Sequence, residues 1–325
     1  MKGILRKVDA FQKRHAVIAF PFAVVKKFGD DKAGNLAALI AYYGFFSLFP
    51  LLLVLVTILG MILRNNPNLQ QRIVDSALAN FPVIGTQISR NIHSLEGSGL
   101  ALGVGIALVL WSGLGVIKAV QTAMNTVWNV PFEHRPNFLT STLRALIMLA
   151  VLGVLTLASA AAGSVGAGSD HWWSLVMGLA ISLVLNFVLF MLAFRILTSE
   201  DLTWGDVMPG AVVGAVAWTA LQAFGGYYVN HQLRGASEVY GTFAVVIGLL
   251  AWIFIGAQIT LLAAEVNVVR KRHMWPRSLV PPPFTDADVQ ALTHDAKQED
   301  RRAEERIDVV VEGPRSDAGG SSAPR

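Results

Sequence analysis

The chain has 325 residues and a formal charge of +4, and it is 54% hydrophobic but only 15% charged, with a mean hydropathy of +0.52. Soluble domains carry about 25% charged residues, so a water-soluble globular fold is excluded. The chain contains no cysteine, which excludes a disulfide framework and thiol chemistry.

Residues 1–35 read as a basic amphipathic cytoplasmic segment. Ile4, Val8 and Phe11 recur at helical spacing among lysines and arginines, a pattern suited to an anionic lipid surface. The apolar patch 16–25 contains Pro21 and runs into Lys26 and Lys27 without a small-residue cleavage site, so it is not read as a signal peptide.

Residues 36–275 form the membrane domain. Six apolar stretches, 36–63, 99–117, 145–167, 172–194, 207–229 and 242–264, are each long enough for the ~30 Å hydrocarbon core of a bilayer. The predicted fold class is all-α: a polytopic membrane protein with a six-helix bundle and interfacial amphipathic helices. In the intervening loop 64–98, Leu69, Ile73, Leu78, Phe81 and Ile84 predict a short interfacial helix broken at Pro82. The short connection 168–171 predicts an antiparallel hairpin. Residues 276–325, rich in proline and mixed charge and lacking an apolar face, read as a disordered cytoplasmic tail with a transient helix around 286–306.

Basic residues set the orientation. Sixteen fall before the first span, in the loops 118–144 and 195–206, and just after span six; the opposite side holds Arg64, Arg72, Arg90 and Arg234. The positive-inside rule therefore puts both termini in the cytoplasm of a multi-pass protein of the bacterial cytoplasmic membrane.

Span one is unusual. At 100° per residue Tyr43, Ser47, Pro50 and Thr57 share an arc of about 80°, and Pro50 has no N–H for the carbonyl of Phe46. A bent, polar stripe suits a bundle interior better than lipid. Other polar groups at span depth are Ser182, Asn186, Gln222, Gln258 and Glu265, with Lys118, Gln121 and Asn125 running out of span two. Such groups mark functional paths or interhelical hydrogen bonds. The candidate substrate path is Tyr43, Ser47, Pro50, Gln222, Gln258 and Glu265: Tyr43 and the glutamines offer hydrogen bonds, Pro50 sets the bend, and Glu265 guards the cytoplasmic mouth. The glycine pairs of "GLALG" at 99–103 and "GAVVG" at 210–214 suit close helix packing.

Four segments carry a family resemblance: "AALIAYYGFFSLFPLLLVLVTILG", "WNVPFEHRPNFL", "WGDVMPGAVVGAVAWTALQAFGGYYVNH" and "VYGTFAVVIGLLAWIFIGAQITLLAAEVN". The chain resembles the YihY/virulence factor BrkB family of bacterial inner-membrane proteins over roughly residues 10–275. The resemblance implies a transporter-like six-span protein, without a family-wide substrate. Its Gly-Ala-Glu-Leu-Asn-like string stands here as Ala263-Ala264-Glu265-Val266-Asn267. The resemblance also brings an older ribonuclease BN label. Against that label, the seven histidines are scattered without metal-ligand spacing, and no phosphate-binding or nucleophile-elbow motif is present.

The expectation is a transporter or permease of a small solute, ion or lipid. The alternative is a non-transporting scaffold that organises envelope partners. No catalytic residues, metal site, cofactor or nucleic-acid partner is expected, so the chain is not read as an enzyme. Expected partners are the lipid bilayer and anionic lipids at the N-terminal segment, and a homo-oligomer is left open.

Overall fold

The structure, a computed structural model, describes residues 2–63, 99–166, 172–231, 233–302, 304–305 and 307–310. Among the described residues every regular element is helical. In chain order these are α1 (Lys2–Arg14), α2 (Ala16–Asp30), α3 (Ala33–Leu63), α4 (Gly99–Val127), α5 (Phe138–Gly166), α6 (Trp172–Leu197), α7 (Trp204–His231), α8 (Leu233–Lys271) and α9 (Asp286–Lys297), with a 3₁₀ turn at Phe132–His134. The predicted helix in 64–98 and the connection 168–171 lie outside the described residues, as does the side chain of Thr57.

Among the described residues five helices contain stretches long and apolar enough to cross a membrane: Ala33–Leu51, Gly103–Val127, Phe138–Leu155, Val176–Leu197 and Val246–Lys271. The remaining predicted span, 207–229, lies in α7, which is helical over 28 residues but is not among these five.

The chain divides into two compact units. The first comprises Met1–Ala37, Val120–Leu221 and Gln258–Arg325; the second comprises Ala38–Ala119 and Gln222–Ala257. In the first, α5 packs on α6, and Met124, Trp128, Phe194, Val207, Leu261 and Val268 are fully buried.

Two helix ends in this unit close in the same way. At the end of α4, Asn129 takes a left-handed φ of 47°. Its N–H donates to the Thr126 carbonyl and that of Val130 to Asn125, which satisfies the last carbonyls as a Schellman motif does. At the end of α8, His273 has φ 51°, and the N–H groups of His273 and Met274 reach Arg270 and Val269. Asparagine tolerates this conformation better than most residues.

The glycine pair of α7 is a packing device. A Cβ on Gly210 would collide with the Ala263 carbonyl and the Asn267 side chain, and one on Gly214 would sit 3.0 Å from the Phe190 ring. Gly103, from the other predicted pair, has open space around it.

The segment after residue 275 corrects the sequence reading. It is not a disordered tail throughout, because residues 276–300 fold onto the rest of the first unit. Arg277 and Ser278 are buried, and α9 starts with a capping box between Thr285 and Asp288. Gln12 donates to the Arg277 carbonyl, Lys13 to Ser278 Oγ at 2.8 Å, and the Leu279 N–H to Asp9 at 2.7 Å. Beyond α9, the N–H of Phe132 donates to the Gln298 carbonyl and that of Glu133 to Asp300. Polar pairing secures this strap, and a search for an apolar period does not register polar pairing.

In the second unit the rings of Tyr42, Tyr43, Phe45, Phe46 and Phe49 form a ladder along α3, with the Tyr42–Phe46 centroids 4.8 Å apart. Tyr43 packs where Gly115 leaves room: a Cβ there would lie 3.3 Å from its ring.

Candidate functional site

On α2, Ala19, Ala23 and Lys27 recur every four residues and so share one face. Their exposures are 1%, 0% and 1%. The helix therefore carries a lysine on its buried stripe. The Lys27 Nζ lies 2.7 Å from Asp31 Oδ2, one turn on, and 3.8 Å from Oε2 of Glu265, which α8 contributes and which is fully buried. The shorter contact is a hydrogen bond and the longer one is Coulombic only. Neither carboxylate oxygen of Glu265 has a hydrogen-bond partner.

A third acid reaches the cluster from the strap. Asp295 of α9 accepts from Asn129 Nδ2 at 2.8 Å. Burial raises its carboxyl above the usual range, and Asp31 and Asp30 add to this against Lys27 and Asn129. For Lys27, burial opposes the charge, but Glu265 and Asp31 outweigh it and raise the ammonium above the ordinary lysine value. The neighbouring His294 is lowered by burial and by the cations Arg272 and Lys27. Beside the cluster, Asn267 Oδ1 accepts from the Gly210 N–H at 2.6 Å, which ties α7 to α8 two residues past Glu265.

Further ion pairs lie in the same unit. Asp288, 2% exposed, takes Lys26 and the Arg277 Nε, both at 2.8 Å, and the Ser278 N–H at 2.9 Å. Arg277 also reaches Asp30 at 2.9 Å. Burial opposes the Asp288 charge, but Lys26, Arg277 and the backbone N–H groups of Ser278 and Thr285 outweigh it and hold the carboxyl far below the ordinary carboxylate range. Arg272 donates to the Trp128 carbonyl at 2.6 Å and to Glu200 at 2.9 Å. The family-like "WNVPFEHRPNFL" loop is thus held by Arg272, which follows α8, and by the strap together.

Residues 24–284 match the family described as Virulence factor BrkB. The chain belongs to that family. This BrkB-family chain is 26% identical to the inner membrane protein YhjD of Escherichia coli, over 78% of its own length and 81% of the relative. It is 25% identical to the ribonuclease-like protein YfkH of Bacillus subtilis, over 76% and 92%, and 26% identical to the UPF0761 membrane protein Smlt0865 of Stenotrophomonas maltophilia, over 80% and 62%. No solved structure matches. The Lys27–Asp31–Glu265 cluster lies within the matched residues.

The six path residues of this BrkB-family chain divide between the units, with Tyr43, Ser47, Pro50 and Gln222 in one and Gln258 and Glu265 in the other. Tyr43 is 41% exposed, and Ser47 donates to the Gly44 carbonyl of its own helix at 2.7 Å. Pro50 lines an open, mainly apolar cleft of about 400 Å³ with Phe49, Leu108, Trp111 and Ser112; none of the other five path residues forms its walls. Gln222 is exposed and Gln258 half-buried. Asn186 reaches Thr219 at 3.0 Å, and Gln121 exchanges hydrogen bonds with Ser141. These polar groups join helices to one another.

Sequence reasoning missed Lys27, Asp31 and Asp295. The four-residue spacing of Ala19, Ala23 and Lys27, followed four residues later by Asp31, was the available signal. By sequence alone the lysine reads as one of the cytoplasmic charges. Nothing local to Asp295 announces its neighbours.

Proposed function

We propose that this BrkB-family chain is a transporter or permease of a small solute, ion or lipid, with both termini in the cytoplasm, and that it is not an enzyme. One observation carries the reading: a lysine and two carboxylates, contributed by α2, its following turn and α8, are buried together at the end of an apolar helix. Ionisable groups in such surroundings are costly and mark ion or substrate paths by default. Tyr43, Ser47, Pro50, Gln222 and Gln258 remain the proposed path that Glu265 serves. The hydrogen bonds of Gln12, Lys13 and Asp9 to residues 277–279 support a common side for the two terminal regions. The exposed Val8, Phe11, Val17 and Ile18, with Arg6, Lys7 and Arg14 also exposed, support contact with an anionic leaflet.

The test is a thermal-shift screen of the full-length protein against metabolites, ions and lipid headgroups, followed by flux into proteoliposomes. A ligand at 100 times its Kd stabilises the folded state by about 2.7 kcal/mol. The expected result is a stabilising compound whose effect falls in Tyr43→Phe or Gln258→Ala and whose flux is lost in Lys27→Met. Flux that survives Lys27→Met unchanged counts against the reading.

A further inference from the structure

We propose that Asp31 and Glu265 together bind a proton above Lys27, forming a protonation site at the junction of α2 and α8. The geometry makes the case. The two carboxyl groups face the same ammonium, yet both are acceptors, and no donor reaches either oxygen of Glu265. Among the described residues the only cation in contact is Lys27, whose ammonium is committed to Asp31 at 2.7 Å and stands 3.8 Å from Glu265.

With every group ionised, the dry trio of Lys27, Asp31 and Glu265 carries one uncompensated negative charge, and its side chains are no more than 2% exposed. An isolated charge so placed is neutralised in preference to being buried. One proton taken from solvent resolves both deficits. It forms an O–H bond on one carboxylate and leaves an acid that donates to the other, and the trio becomes neutral.

The other titratable group facing the trio is Asp295 of α9, which would add negative charge and is held by Asn129. His294 of α9, Arg272 just after α8 and Asp30 of α2 lie around this set. A metal ion fits the site less well. Among the described residues no three His, Asp or Glu side chains converge closely enough to hold one, and the Lys27 ammonium occupies the cationic position.

Loss of the proton would leave Lys27 shared between two charged carboxylates, one beside α2 and one on α8. The proton state therefore sets how strongly these two helices are drawn together. Proton binding stands by itself; its use as the coupling ion rests on the transporter reading above.

The experiment is an infrared pH titration of the full-length protein in lipid vesicles, with the proton as the probe. The expected result is a protonated-carboxyl C=O band at neutral pH that fades on alkalinisation. The band is lost in Glu265→Gln and in Asp31→Asn, whose amides supply the missing donor. A wild-type protein without the band overturns the proposal, however the variants behave. A band that persists in whichever of the two variants folds also overturns it. The titration reads no flux, so a positive band with failed flux assays sinks the transporter reading alone, and flux without a band sinks the proton site alone.

Discussion

The two units hold their helices in different ways. In the first, separate segments are cross-linked by charge: Lys27 to Glu265, Lys26 and Arg277 to Asp288, Arg272 to Glu200. In the second, Ser47 of α3 bonds within its own helix, to Gly44, and α3 presents aromatic rings to its surroundings. A buried ion pair contributes little net stability, but removing one partner leaves the other uncompensated. The first unit should therefore be brittle to single polar substitutions and the second tolerant of them.

The largest expected break is Asp288→Ala. It strands Arg277, 3% exposed, with Asp30 as its remaining ionic partner, and costs about 3–5 kcal/mol. A thermal melt and limited proteolysis of residues 276–300 check it; an unchanged cleavage pattern would show that the strap is held by other contacts.

Next is Gly210→Ala, whose Cβ meets a backbone carbonyl as well as Asn267. Overpacking of this kind costs about 1–3 kcal/mol. Gly103→Ala meets nothing within 4 Å and should be neutral or gain up to about 1 kcal/mol from helix propensity. Equal melts for the two variants would remove the contrast between the units.

Acid sharpens the comparison further. Because the folded-state pKa of Asp288 is depressed, its stabilisation is complete above the unfolded value of about 3.9 and is lost as pH falls toward the folded one. Hydrogen exchange at the Ser278 amide, which donates to Asp288, should be flat from pH 7 to about 4 after correction for intrinsic rates, then rise. A rise centred near neutrality would assign the strap to a different group. The smallest effect is expected for Ser47→Ala, within about 0.5 kcal/mol by thermal melt, because only a bond within its own helix is lost.

Much of the architecture could be read in the sequence. Runs of about 20 apolar residues have one stable form in a bilayer, since only a helix satisfies its own backbone there. Five of the six predicted stretches fall in helices of the required length and apolarity. Glu265 stands out in the sequence because an acid in such a run is conspicuous. Its surroundings were not legible, because Lys27, Asp31 and Asp295 are separated from it by well over 200 residues or belong to a segment that reads as polar tail. The strap failed to register for a related reason: its buried residues, Arg277, Ser278 and Asp288, are types normally found at the surface.

By itself, then, the sequence determined that the chain is helical and apolar enough for a membrane, because periodicity and length are local properties. Only the tertiary structure decided which charges are buried together and that the C-terminal segment folds back on the N-terminal helices. Pairing between distant charges depends on where the folded chain returns, and no local pattern encodes that.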